Sequence, residues 1–180
     1  MSNNIKIELA KKAAGGGSSG LYFIDDILRN KSGGTDMAFS RSWYILLSFN
    51  FELILKAILI IENKQNTKKA ILNSIKSHNL VSLSKIIDKK SLNKYGIDSI
   101  EKEIKNNFIS YIVKISNNRG SIIIQDLIDV RYDFEKEELR ISDPNEINRI
   151  KKEVNLLLSV IDEINKVVWP TPDSQRPSKC

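Results

Sequence analysis

His78 is the only imidazole in the chain, so any side-chain proton transfer near neutral pH would fall to it. It stands in Ser77-His78-Asn79-Leu80. There it reads first as part of the opening turn of a helix, its ring packed or bonded to a neighbouring loop. Its functional reading is a lone acid–base group or phosphate ligand borrowed across a dimer. The second candidate is Arg131-Tyr132-Asp133. Arg131 and Tyr132 suit the wall of a phosphate-binding groove, and equally an internal brace pairing with Glu52 or another acid. Glu52 and Lys56 stand acid before base, one helical turn apart, and read as a salt-bridged polar stripe.

Other chemistries find no residues to carry them. One histidine and one cysteine, Cys180, cannot build a zinc site, and no Asp/Glu-x-x-His pair exists for two irons. No metal and no cofactor is therefore expected. A nucleophilic triad lacks its Gly-x-Ser-x-Gly elbow. Glu135, Glu137 and Glu138 fall in a charged connector and read as a solvated loop. Gly15 to Gly20 lacks the Gly-Lys-Ser/Thr ending of a phosphate-binding loop and reads as a flexible linker.

The net charge of +6 is concentrated. Between Lys64 and Lys105 stand ten lysines and only four acids, Asp88, Asp98, Glu101 and Glu103. This segment accounts for the whole excess. Such a concentration either draws a phosphate backbone or forms a solvated lysine face. On the first reading Lys76, Lys85, Lys89 and Lys90, with Arg131 and Tyr132, contact RNA or another phosphate. With no arginine in the segment, that contact would be non-specific.

The elements that would hold these groups read as helices. Met37 to Glu62 is apolar around most of its circumference, and Arg41, Ser48, Glu52, Lys56 and Asn63 fall on one side at about 100° per residue. It is the central post of a bundle. Trp43 to Ile61 is also long enough to span a bilayer, but Glu52 and Lys56 would each cost roughly 2.5–3.5 kcal/mol at its centre. Burial in protein is the better reading. Leu21 to Asn30 is a short helix, with Thr35 or Asp36 capping the post. Thr67 to Ile75 is another, and Ser77 suits the N-cap of a helix through Leu80, Leu83, Ile86 and Ile87. Asp98 and Glu101 form a capping box for a helix from Ser99 to Lys114, with Ile100, Ile104, Phe108, Ile112 and Ile115 as its apolar face. Ile122 to Arg131 continues as a helix or, as the weaker alternative, a strand. Asp143, Pro144 and Glu146 open a final helix whose Ile147, Ile150, Val154, Leu157, Ile161, Ile164 and Val168 recur by three and four. This divides the chain into a flexible segment 1–20, an all-α up-and-down bundle 21–168 and a polar tail 169–180.

Three patterns in this order, Phe51-Glu52-Leu53-Ile54-Leu55-Lys56-Ala57-Ile58-Leu59, then Ser77-His78-Asn79-Leu80, then Arg131-Tyr132-Asp133, together with an all-helical frame, make the chain resemble the HEPN family. These are helical bundles of prokaryotic toxin–antitoxin and defence systems. The resemblance spans about Leu21 to Val168. It implies a dimer and, in many members, a metal-independent endoribonuclease using an arginine with a histidine four to six intervening positions later. That motif is absent: after Arg131 those positions hold Lys136, Glu137 and Glu138. Arg119 and Arg140 fail likewise. The expectation is a cytoplasmic, non-membrane homodimer that binds RNA, a nucleotide or a neighbour-encoded partner protein in stress response or phage defence. The alternative is a degenerate ribonuclease using Arg131, Tyr132 and His78. The sole cysteine forbids an internal disulfide, and residues 1–14 lack the apolar core of a signal peptide.

Overall fold

The computed structural model describes residues 2–30, 37–65, 67–105, 108–117, 119–126 and 144–170. Among them lie six helices, α1 (Ser2–Asn30), α2 (Met37–Glu62), α3 (Lys68–Ser74), α4 (Leu80–Ile86), α5 (Lys89–Lys94) and α6 (Pro144–Val168). Between α5 and α6 lie three strands, β1 (Ile97–Lys105), β2 (Phe108–Ile115) and β3 (Gly120–Gln125). The strands form one antiparallel sheet in the order β1-β2-β3. The fold is mixed α/β, which corrects the all-α bundle.

The reason lies in periodicity. Spacings of four are common to one helix face and one strand face, so Ile100, Ile104, Phe108 and Ile112 satisfy both patterns. In the sheet that supposed face is split, because Ile100 pairs with Val113 while Glu101 pairs with Ile112. The core side of the sheet is instead Ile97, Tyr111, Val113, Ile115, Ile122 and Ile124, all buried. Ile104 is 65% exposed. The β-branched run Ile122-Ile123-Ile124 is strand. Asp98 and Glu101 cap nothing: Asp98 accepts from Ser116 Oγ at 2.6 Å, and Glu101 pairs with Lys114 on the neighbouring strand at 2.7 Å.

The post itself is as expected. α2 runs Met37–Glu62, and Phe51, Ile54, Leu55, Ala57 and Ile58 have no exposed surface. The window Trp43–Glu62 is long and apolar enough to cross a membrane, and 67% of it is buried within the protein. Antiparallel to α2 lies α1, a single helix that runs straight through Gly15 to Gly20, so that segment is not a linker. Close approach explains the glycines. A Cβ on Gly16 would fall 3.1 Å from Leu53, one on Gly17 would fall 3.3 Å from the Asn50 carbonyl oxygen, and one on Gly20 would overlap the Asn50 side chain. α6 lies against both α1 and β3: Lys11 sits over the Trp169 ring, and Glu153 accepts the Ile123 N–H at 3.1 Å. Its seam is buried at Ile150, Val154, Leu157, Ile161, Ile164 and Val168.

The small helices start where polar side chains cap them. Thr67 caps α3, Asn79 rather than Ser77 caps α4, and Asp88 caps α5, a short helix that the sequence reading did not include. Thr35, Asp36, Arg131, Tyr132, Asp143 and the tail beyond Pro170 lie outside the described residues.

Candidate functional site

Polar groups along α2 and just past its end tie β3, α3 and α5 to the post. Ser48 donates to the Gln125 carbonyl at 2.8 Å and so ties the end of β3 to the post. Asn63 donates to Ser74 Oγ at 2.6 Å, holding α3, and its carbonyl accepts from Lys6 of α1. Glu62, one residue earlier, accepts from Lys94 and from Tyr95 Oη at 2.7 Å, holding the end of α5. Burial alone would raise the Glu62 carboxyl, but these two hydrogen bonds outweigh it and leave it below the usual carboxylate range. Burial first, then the Glu62 carboxylate, pushes the Tyr95 phenol well above its ordinary value.

Between these tethers lies Glu52, only 2% exposed. Its Oε1 is 2.7 Å from Lys56 Nζ and 2.9 Å from His78 Nδ1. The two ends of this contact are 26 residues apart in sequence. Oε2 is buried and has no hydrogen-bond partner among the described residues. With Lys56 as the other donor to the same oxygen, Glu52 accepts and Nδ1 carries the proton. That fixes the neutral tautomer and leaves Nε2 as the unprotonated nitrogen. The His78 side chain is 73% exposed. The arrangement is a carboxylate-oriented imidazole on the surface, able to accept a hydrogen bond at Nε2 and to take a proton there.

Two of the three sequence patterns thus meet at one contact, Glu52 with His78; the third, Arg131-Tyr132, lies outside the described residues. His78 is bonded to α2 rather than to a loop. Lys76, Lys85, Lys89 and Lys90 are exposed, Lys85 on α4 and Lys89 and Lys90 on α5. Lys102 and Lys105 stand on strand β1, not on a helix. No group of three or more His, Cys, Asp or Glu that could hold a metal occurs among the described residues.

Sequence reasoning missed the Glu52–His78 pairing, although a carboxylate in so apolar a helix needs partners and the one histidine was available. It also missed two further sets of polar contacts. Arg149 pairs with Glu153 at 3.0 Å and donates to Tyr44 Oη, while Tyr111 Oη donates to Asp126 at 2.6 Å. Arg149 and Glu153 stand at i,i+4 spacing on one helix, whereas the Tyr44 and Asp126 contacts join residues too far apart for local spacing to announce.

No protein-family model matches the chain, and no curated protein and no solved structure matches it. The site and fold define a class only in structural terms: a helical hairpin and closing helix that carry a three-stranded sheet, with a lysine-rich group of short helices at the far end of the post.

Proposed function

We propose that the protein works by association, gripping the phosphate backbone of RNA with the lysine-rich surface of α3, α4 and α5 and the segments joining them. The supporting observation is charge without compensation. Lys64, Lys68, Lys69, Lys76, Lys85, Lys89 and Lys90 are all exposed, and none makes an ion pair among the described residues. Only Lys94 of this group is engaged, with Glu62. Unpaired lysines that release counterions from a polyanion give affinity that falls steeply with salt. The stress or phage-defence setting belongs to the same proposal and rests on the HEPN-like patterns. The all-helical frame that accompanied them is absent. The test is anisotropy of a labelled single-stranded RNA titrated with protein at several salt concentrations. Retention that weakens as salt rises supports the reading, and no retention at low salt removes it.

A second reading has its own observation, the Glu52–His78 contact. An exposed imidazole held in one tautomer by a buried carboxylate is equipped to take a proton from a bound ribose hydroxyl without a metal. RNA incubated with the protein in chelator separates the two readings, because only the second yields shortened strands.

A further inference from the structure

We propose that the outward face of α1 pairs with the same face of a second copy of this chain, antiparallel about a two-fold axis near Ser19. Glu8, Lys12, Gly15, Ser19, Tyr22 and Asp26 follow one another by four and three residues, so they share one side of the helix. That side lies opposite the buried seam of Ala10, Ala14, Gly17, Leu21, Ile24 and Leu28. Tyr22 is 55% exposed and its neighbour Phe23 57%. Adjoining exposed aromatics on one face are the mark of an interaction surface.

The order of charges names the occupant. Along α1 it runs Glu8, Lys12, then Asp26, Arg29. Turned about Ser19, Lys12 meets Asp26 of the partner subunit and Glu8 meets Arg29 of the partner subunit, and symmetry repeats each pair. Arg29 holds Asp25 of its own helix at 2.7 Å yet keeps 71% of its side chain exposed. A parallel pairing would set Glu8 against Glu8 and Asp26 against Asp26, so the charges select the antiparallel arrangement. The same rotation lays Tyr22 over Gly16 of the partner subunit and Phe23 over Gly15 of the partner subunit.

This also gives Gly15 a reason. A glycine inside a helix costs about 1 kcal/mol relative to alanine. At Gly16, Gly17 and Gly20 the approach of α2 explains it, whereas a Cβ on Gly15 would meet nothing within 4 Å. The monomer has no use for the missing methyl there; a second helix arriving with an aromatic ring does.

Sedimentation equilibrium of the full chain tests this independently of any RNA binding. The wild type should be a dimer. Lys12→Glu and Asp26→Lys, both at exposed positions, should each weaken self-association about tenfold or more. Mixing the two variants should restore it, because each then supplies the charge that the other lacks. Circular dichroism of each variant should match the wild type. A wild-type monomer, or a dimer that ignores both substitutions, overturns the proposal.

Discussion

Gly20 and Asn50 face each other across the α1–α2 hairpin so closely that a methyl on Gly20 would sit 2.2 Å from Asn50 Oδ1. Gly20→Ala should therefore lower unfolding free energy by about 1–3 kcal/mol, although alanine is the better helix former. In an Asn50→Ala background the same change should cost little, since the overlapping amide is gone. A urea-unfolding double-mutant cycle measures the difference.

Glu52 is the buried member of its cluster and His78 the exposed one. Glu52→Ala strands Lys56, whose side chain is only 13% exposed, without its carboxylate. Its cost should be about 2–4 kcal/mol, near that of breaking a buried ion pair. His78→Ala leaves Lys56 and Glu52 paired and should cost under about 1 kcal/mol. Equal losses from the two variants in chemical denaturation would contradict this ordering.

Acid should loosen the end of α5. Glu62 titrates below its ordinary value of 4.5 when folded. Its stabilising contribution is therefore present above that value and is lost as pH falls below it and through the lower folded value. Glu62→Gln should flatten the stability profile in this acid range, by under about 1 kcal/mol for a partly exposed pair. Tyr95 carries the opposite sign: its raised phenol favours the fold at neutral pH and loses that contribution only in strong alkali. Ultraviolet titration should show late ionisation well beyond that of a free phenol, and Tyr95→Phe should lower its amplitude by one tyrosine.

On the lysine surface, each charge removed should lower the salt dependence of RNA binding by about one unit of log–log slope or less, with little dependence on RNA sequence. Lys85→Gln, Lys89→Gln and Lys90→Gln, singly and together, give the series. A substitution that abolishes binding to one RNA and spares another would point to base recognition instead.

RNA held with the protein in chelator should remain intact. Strands that shorten with wild type, but not with His78→Ala or Glu52→Gln, would replace association with turnover.

The central post could be read from composition alone, because only surrounding protein satisfies a helix apolar on nearly every side. The final helix was equally plain from its Pro144 start and unbroken seam. The sheet was hidden by an ambiguity of number: isoleucines four apart satisfy helix and strand alike, and the decisive alternate positions, Tyr111 and Val113, lay outside the helical set. Gly15 to Gly20 misled for the opposite reason. Glycine is locally a poor helix former, yet here the neighbouring helix demands it. Glu52 and Lys56 were legible as an i,i+4 pair, while His78 joined them only through the fold.

Glu153 covering the Ile123 N–H has a bearing on how the chain survives its own synthesis. β3 is an outer strand, and the helix that shields it is made after it. Until residues 144–168 leave the ribosome, a nascent protein holds an open strand edge and an uncovered flank of α1, the kind of surface that recruits other strands into aggregates. Chains truncated after Asp126 should consequently form inclusion bodies, and a synthetic peptide of the last helix supplied in trans should keep them in solution.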